Sequence, residues 1–198
     1  MKNVDIVYVS CEFLLSQSYN TDEKLLYIVL MSISDKQNIA LASFRELSRL
    51  SGLSINTVQK VILSLQVQGR IKKYVSLYRG LPNIYQLTRS SRDQMIPIPL
   101  GVIYNRLISH TAKIVYAILL VYQQNNEQEC YPSEKAIAKH LNKSIRTVQR
   151  TISELRDCHA ISFTRRYTHN EYMLHDSWVV DNQKNCEQPK RIWKKKVI

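Results

Sequence analysis

Two short segments of the chain share Ser, Thr and Gln at the same spacing and carry other hydrogen-bonding side chains between them. One runs from Ser54 to Lys60 and reads SINTVQK, and the other runs from Ser144 to Arg150 and reads SIRTVQR. Arg pairs through two hydrogen bonds with guanine O6 and N7, and Gln or Asn pairs with adenine N6 and N7. Ser and Thr hydroxyls suit phosphate oxygens. The chemistry that these segments indicate is hydrogen bonding to a nucleic acid.

The candidate DNA contacts fall on these two segments and on the basic residues that follow them. Base-edge contacts are predicted for the Asn, Gln, Lys and Arg side chains within the two segments, and phosphate contacts for their Ser and Thr hydroxyls. The later cations are predicted to reach flanking phosphates or the minor groove. The full set is Ser54, Asn56, Thr57, Gln59, Lys60, Lys72, Lys73, Arg79, Ser144, Arg146, Thr147, Gln149, Arg150, Arg165 and Arg166. An alternative stays open: the two serines are only helix caps, the polar residues only a solvated face, and the later cations only aids to solubility.

Composition limits the class of protein. The chain has 198 residues and a formal net charge of +12, with 44% hydrophobic residues, enough for one large or two small cores. A strongly basic balance favours a polyanionic partner, either nucleic acid or an acidic membrane surface. The longest apolar stretch, Ile114 to Val121, is too short to cross a bilayer. We therefore expect a protein with no membrane span.

The sequence offers no constellation for catalysis and no recognisable cofactor or metal site. The four cysteines are far apart and form no CxxC pair, so we expect reduced thiols in the cytoplasm. A cluster of Cys158, His159, His169 and His175 lacks zinc-ligand spacing. Phosphate-binding Gly-rich loops, GxSxG and HExxH motifs are missing. The prediction is a protein that is not an enzyme, with no metal and no cofactor.

The chain contains one unit written twice. The segment Ser43 to Ile71 aligns without a gap on Ser133 to Ile161, at a spacing of 90 residues. The match continues upstream at a spacing of 89, where Lys24 aligns with Lys113, and downstream at a spacing of 87. An internal repeat of this length predicts two domains of the same fold. We place them at residues 1–91 and 92–180, with a basic tail at 181–198.

Each unit is predicted as helix, helix, turn, helix and hairpin. In the first unit, Asp22 is expected to cap the first helix, and Ser43 with Glu46 three residues later forms a capping-box pattern for the second. A third helix starts at Ser54, with Val58, Ile62 and Leu65 spaced for one apolar face. This face requires the polar side chains of the helix to point to solvent, namely Asn56, Thr57, Gln59 and Lys60. The fold class is mainly α with small β-hairpins (α+β).

The string YPSEKAIAKHLNKSIRTVQRTISELRDCHAI, from Tyr131 to Ile161, resembles the bacterial and phage helix-turn-helix 36-like winged-helix domains. The Pro-Ser cap, the Ile-Ala pair and the Ser-x-x-Thr-Val motif carry the resemblance. The first unit is a weaker match, because it lacks the Tyr-Pro and has Leu-Ser in place of Ile-Ala. The resemblance implies two tandem winged helix-turn-helix domains, each with its third helix in a major groove. By architecture alone, the chain is also similar to plasmid replication initiators with two winged helices.

These observations predict a sequence-specific double-stranded DNA-binding protein of a mobile element. They do not separate a transcriptional regulator from an origin-binding replication initiator, and they leave the oligomeric state open. The alternative is a protein-interaction module, with the first unit as the more suitable one. Its third helix carries Leu63 where the second unit has Ser153, and an outward apolar side chain suits a protein interface.

Overall fold

The computed structural model describes residues 5–74, 81–88, 94–123, 129–166 and 170–175. The helices, in chain order, are α1 (Cys11–Leu15), α2 (Thr21–Ile33), α3 (Phe44–Ser51), α4 (Ile55–Val67), α5 (Leu100–Ile103), α6 (His110–Tyr122), α7 (Glu134–Leu141) and α8 (Ile145–Asp157). The strands are β1 (Ile6–Ser10), β2 (Ile39–Ala42), β3 (Ile71–Tyr74), β4 (Asn83–Leu87), β5 (Met95–Pro99), β6 (Glu129–Cys130), β7 (Ile161–Arg165) and β8 (Asn170–Leu174). The predicted α+β class is confirmed. The order of the three principal helices in each unit is also confirmed: these are α2, α3 and α4 in the first unit and α6, α7 and α8 in the second.

The long helix of the first unit begins two residues earlier than predicted. Asn20, not Asp22, is the N-cap of α2: its side chain accepts from the backbone N–H of Glu23, and the Glu23 carboxylate accepts from the backbone N–H of Asn20. This reciprocal pair is a capping box. The expectation for Asp22 was wrong because Asp22 lies within the first turn, where its charge suits the helix dipole instead. Ser43 does cap α3 and accepts from the Glu46 N–H.

A tight turn joins the second and third principal helices in both units. In the first unit, Gly52 has φ of 80° and ends α3, and in the second, Asn142 has φ of 51° and ends α7. Both values are left-handed, a conformation that Gly and Asn adopt most readily. Ser54 and Ser144 then cap α4 and α8. The turns predicted from the breaks in periodicity are confirmed.

The hairpin of each unit carries a third strand that the sequence analysis did not predict. In the first unit the antiparallel order is β2-β4-β3, and in the second it is β6-β8-β7. We call β3 with β4 the first wing and β7 with β8 the second wing. The strands β2 and β6 have only four and two residues, too short to leave a periodic signal. They anchor each wing beside its helix-turn-helix.

The two units share one hydrophobic core. Strand β1 pairs antiparallel with β5, helix α2 packs against α6, and the buried side chains of both units form a continuous cluster. The predicted boundary near residue 92 and the predicted tail at 181–198 lie outside the described residues. The short helices α1 and α5, also not predicted, follow β1 and β5 directly and pack against the long helix of the opposite unit. The repeat is therefore arranged as a tightly packed pair.

A buried lysine links the two units. The side chain of Lys24 on α2 is fully buried, and its Nζ donates to the carbonyl oxygens of Leu14 at 2.7 Å and of His140 at 2.6 Å. Burial lowers the pKa of Lys24 to about 8, and the neighbouring Glu23 opposes this shift. Because His140 belongs to the second unit, the lysine ties α2 to the end of α7.

Candidate nucleic-acid interface

Helix α4 divides into a buried face and an open face, as the sequence predicts. Val58, Ile62 and Leu65 are buried in the core. The open face carries Asn56, Gln59 and Lys60, all exposed, with Thr57 partly covered. The structure therefore brings the predicted base-contacting side chains of the first unit together on one accessible surface.

Helix α8 repeats this arrangement with more positive charge. Val148, Ile152 and Leu155 are buried, whereas Arg146, Gln149 and Arg150 are exposed, with Thr147 partly covered. The exposed side chains line an open concavity of about 800 Å³ that extends along α8 to Leu107 and Ile108 in the loop before α6. Two arginines flanking a glutamine on one helix present both the guanine-binding and the adenine-binding groups.

The two capping serines have the same geometry in both units. Ser54 Oγ accepts from the Thr57 N–H at 3.1 Å and shares a hydrogen bond with Thr57 Oγ1 at 2.8 Å. Ser144 repeats both contacts with Thr147, at 3.1 and 2.9 Å. This is the N-cap role that the sequence analysis held as the alternative, and such a cap is worth about 1 kcal/mol. Phosphate contact by these hydroxyls stays a prediction.

The cations of the first wing differ in their surroundings. Lys72 is exposed, but Lys73 is partly covered and its Nζ lies 4.4 Å from the centre of the Phe44 ring. This cation–π contact holds the lysine beside the start of α3. Tyr74, at the end of β3, is 54% exposed. Arg79, the third predicted cation of this wing, lies outside the described residues.

The cations of the second wing are both ion-paired. Arg165 donates from Nη2 to Glu134 Oε1 at 2.9 Å, and Arg166 donates from Nε to Glu171 Oε2 at 2.7 Å. Both arginine side chains are more than half exposed. The hydrogen bond and charge of Glu171 raise the pKa of Arg166. The arginine end of each pair is open to solvent, so the guanidinium N–H groups that the carboxylates leave unused can bind another anion.

Glu134 is a residue of this surface that the sequence analysis did not identify. Its second carboxylate oxygen, Oε2, accepts from Gln149 Nε2 at 2.7 Å. The carboxylate thus joins the third helix to the wing, through Gln149 and Arg165. Spacing along the sequence could not reveal this contact, because Glu134 comes from α7 and Arg165 from a strand 31 residues later.

Each helix-turn-helix turn is held by the opposite unit. Asn142 Nδ2, in the turn of the second unit, donates to the carbonyl oxygen of Gln17 between α1 and α2. His140 Nδ1 lies 2.7 Å from the Leu15 carbonyl oxygen. In the first unit, a Cβ on Gly52 would lie 3.0 Å from Nε2 of His110, the first residue of α6. The segment before α2 therefore hydrogen-bonds to the turn of the second unit, and the start of α6 lies beside the turn of the first unit.

Metal ligands, membrane spans and thiols in the described part of the chain also bear on the class of protein. Among these residues, no group of three or more His, Cys, Asp and Glu side chains is placed to hold a metal ion. Within the same ranges, no helix is both long and apolar enough to cross a membrane. Cys130 and Cys158 are free thiols, and burial raises the pKa of Cys130 to about 12.

The chain was compared with known families and proteins. The sequence profile described as "Helix-turn-helix domain" matches twice, over residues 20–70 and 105–159, which together make up more than half of the chain. The search of curated proteins gives no match. The two matched segments begin beside the long helices α2 and α6 and extend just past α4 and α8. Since the matched segments coincide with the two helix-turn-helix units of the structure, the chain belongs to the helix-turn-helix domain family and contains that domain twice.

Proposed function

We propose that this protein binds double-stranded DNA in a sequence-specific way and does so with both units. The observation that carries the proposal is the recurrence of one outward set of hydrogen-bonding side chains on α4 and α8. A helix that reads bases presents such residues at its N-terminal part, in the major groove. Asn56, Gln59 and Lys60 occupy that part of α4, and Arg146, Gln149 and Arg150 occupy it on α8.

Two further features support DNA as the partner. The net charge of +12 supplies the electrostatic attraction that phosphate binding requires. The exposed cations Lys72, Arg165 and Arg166 lie on the wings, where they would flank a helix inserted in the groove. We propose no catalytic step, since base reading by these side chains requires only hydrogen bonds.

The biological role that we propose is occupation of a promoter or an origin on a mobile element. A transcriptional regulator and a replication initiator both begin with the same recognition event, so the DNA site decides between them. Selection of bound duplexes from a random pool, followed by footprinting, tests the binding proposal. A defined motif protected over two adjacent major grooves is the expected result. Recovery of random sequences by the full chain would overturn it.

A second candidate function, a protein contact through the first unit, is favoured by one observation. Leu63 and Val67 lie four residues apart on α4 and are 63% and 89% exposed, whereas the second unit has Ser153 and Asp157 at these positions. An exposed apolar pair on one helix face suits a protein interface better than a phosphate backbone.

The two candidates differ in what the first unit contributes to DNA binding. Combined replacement of Asn56, Gln59 and Lys60 by Ala removes its predicted base contacts. If both units read DNA, this variant loses protection of one half of the footprint. A footprint and an affinity equal to those of the wild type would instead assign α4 to a protein partner.

A further inference from the structure

The carboxylate of Glu134 lies behind the DNA-facing surface of the second unit. Glu134 is the first residue of α7, and its side chain is only 12% exposed, whereas the Arg165 side chain that covers it is 65% exposed. Gln149 covers the other oxygen from α8. The acidic group is thus screened from the solvent by two of the side chains predicted to contact DNA.

The contact with Glu134 determines which way the Gln149 amide faces. An ionised carboxylate only accepts hydrogen bonds, so the amide nitrogen of Gln149 must be the atom directed at Oε2. The amide nitrogen carries two hydrogens, and Glu134 takes one of them. The second N–H and the carbonyl oxygen Oε1 remain for an external partner. A donor beside an acceptor matches adenine, which presents N7 as acceptor and N6–H as donor in the major groove.

The same carboxylate holds Arg165 next to this amide. Nη2 of Arg165 donates to Oε1 of Glu134, and a guanidinium group has five N–H donors in all. The remaining donors can bind a phosphate oxygen without breaking the pair with Glu134. One carboxylate therefore sets the position of a base-reading group on α8 relative to a phosphate-binding group on the wing.

The first unit has no carboxylate at the position that corresponds to Glu134. Phe44 occupies the position that corresponds to Glu134, and it contacts Lys73 through its ring. Within the described residues, the side chain of Gln59, which corresponds to Gln149, makes no hydrogen bond to a neighbour at the start of α3. Gln59 and Gln149 thus occupy equivalent positions of the repeat, but in the described part of the chain only Gln149 is held by a hydrogen bond to the start of the preceding helix.

We propose that Glu134 is a positioning residue that orients the Gln149 amide to read adenine and couples it to the wing through Arg165. This inference rests on the proposed DNA-binding function. Its energetic basis is preorganisation: a side chain held in its bound conformation loses less conformational entropy when the base arrives. The expected consequence is a preference at one base pair, not a general gain in affinity, because a carboxylate repels the phosphate backbone.

The test uses the full chain and selection of bound duplexes from a random pool. Gln149→Ala identifies the base pair that Gln149 reads, as the position whose preference is lost. Glu134→Gln is expected to lower the preference for adenine at that same pair about tenfold and to leave the other positions unchanged. Affinity for random DNA should stay equal or rise, because a negative charge has been removed.

Glu46→Gln is the matched control. Glu46 lies in the first turn of α3, so its replacement removes a comparable favourable charge from a helix N-terminus, in the other unit. All base preferences should survive in this variant. An adenine preference that persists in Glu134→Gln overturns the inference and leaves the DNA-binding function intact. A wild-type chain that selects no motif overturns both.

A measurement on the wild-type protein covers the case in which Glu134→Gln does not fold. Nuclear magnetic resonance order parameters of the side-chain amides report motion on the picosecond to nanosecond timescale. The Gln149 amide should approach the order parameter of rigid backbone, about 0.85, and the Gln59 amide should fall below about 0.6. Equal and low values for both amides would overturn the inference.

Discussion

Tyr8 and Pro97 lie opposite each other at the centre of the β1–β5 pair, and they are equivalent positions of the two repeats. On either side, Val7 pairs with Ile98 and Val9 pairs with Ile96, so each strand of one unit meets its own counterpart in reverse order. At the ends, the Cys11 N–H donates to the Gln94 carbonyl and the Leu100 N–H donates to the Asp5 carbonyl, at 2.9 and 2.8 Å. An approximate two-fold axis therefore passes between Tyr8 and Pro97.

This axis predicts the form of the DNA site. A two-fold rotation relates the two third helices, as in a symmetric dimer, but here a single chain supplies both of them. We expect one chain to protect two half-sites in inverted orientation. The half-sites should differ in sequence, because α4 and α8 differ at the outward positions held by Asn56 and Arg146 and by Lys60 and Arg150.

Footprinting combined with the measured mass of the complex checks this prediction. One chain on an imperfect inverted repeat is the expected result. A perfect palindrome occupied by two chains, or two half-sites in direct repeat, would contradict the prediction. Either result would mean that the two-fold axis within the chain does not determine the form of the DNA site.

The second unit should supply most of the sequence discrimination, because α8 carries two exposed arginines where α4 has Asn56 and Lys60. Arg146→Ala and Arg150→Ala should each weaken binding to the selected site by about 1 to 3 kcal/mol, if each arginine binds a guanine through two hydrogen bonds. Gel-shift titration measures this loss. Arg156→Ala is the control, since Arg156 is exposed on the last turn of the same helix and pairs with Asp157 at 3.2 Å.

Equal affinities for all three variants and the wild type would remove α8 as the principal reader of the site. A uniform loss on specific and random DNA would assign the two arginines to phosphates instead of bases.

The sequence predicts the units and their exposed surfaces far better than their mutual arrangement. Periodicity places Val58, Ile62 and Leu65 in the core, and it thereby exposes Gln59 and Lys60, because the geometry of a helix is local. The pairing of β1 with β5 could not be predicted in this way, because nothing in the sequence of either short strand indicates which other strand it pairs with. The contacts of Lys24 with His140 and of Glu134 with Arg165 also depend on tertiary packing, so the spacing of these residues along the chain does not predict them.

The position of His110 beside Gly52 predicts a difference between two glycines. Gly52 and Gly69 both have left-handed φ values, 80° and 70°, so replacement of either by Ala carries the conformational cost of about 1 to 2 kcal/mol. A Cβ on Gly52 would also meet His110 Nε2 at 3.0 Å, whereas a Cβ on Gly69 meets nothing within 4 Å. Chemical denaturation should therefore show a larger loss for Gly52→Ala than for Gly69→Ala.

The excess loss should disappear when Gly52→Ala is combined with His110→Ala, because the smaller side chain removes the crowding. Equal losses of stability for the two single glycine variants would mean that His110 does not crowd a side chain at position 52 in solution.

Lys24 should make the stability of the protein rise with pH across a defined window. Its pKa is about 8 in the folded chain and 10.5 as the ordinary value, so between these values the unfolded chain binds more protons than the folded one. Unfolding then becomes less favourable as the pH increases. Below pH 8 the free energy of unfolding is lowered by the full cost of burying the charged ammonium group. Above pH 10.5 the free energy of unfolding is higher by about 3 kcal/mol, because Lys24 is neutral in both the folded and the unfolded chain.

The measurement compares wild type with Lys24→Met by denaturant unfolding from pH 7 to pH 10.5. Burial raises the pKa values of Cys130, Tyr85 and Tyr172 to about 12, which makes both proteins lose stability at alkaline pH. These groups are present in both proteins, so their effect cancels in the difference between the two unfolding free energies. That difference should move in favour of wild type as the pH rises above 8, because only wild type sheds the buried charge. A difference that stays constant across this range would mean that Lys24 keeps its ordinary pKa in the folded chain, so that burial at the junction of the two units does not disfavour its charged form.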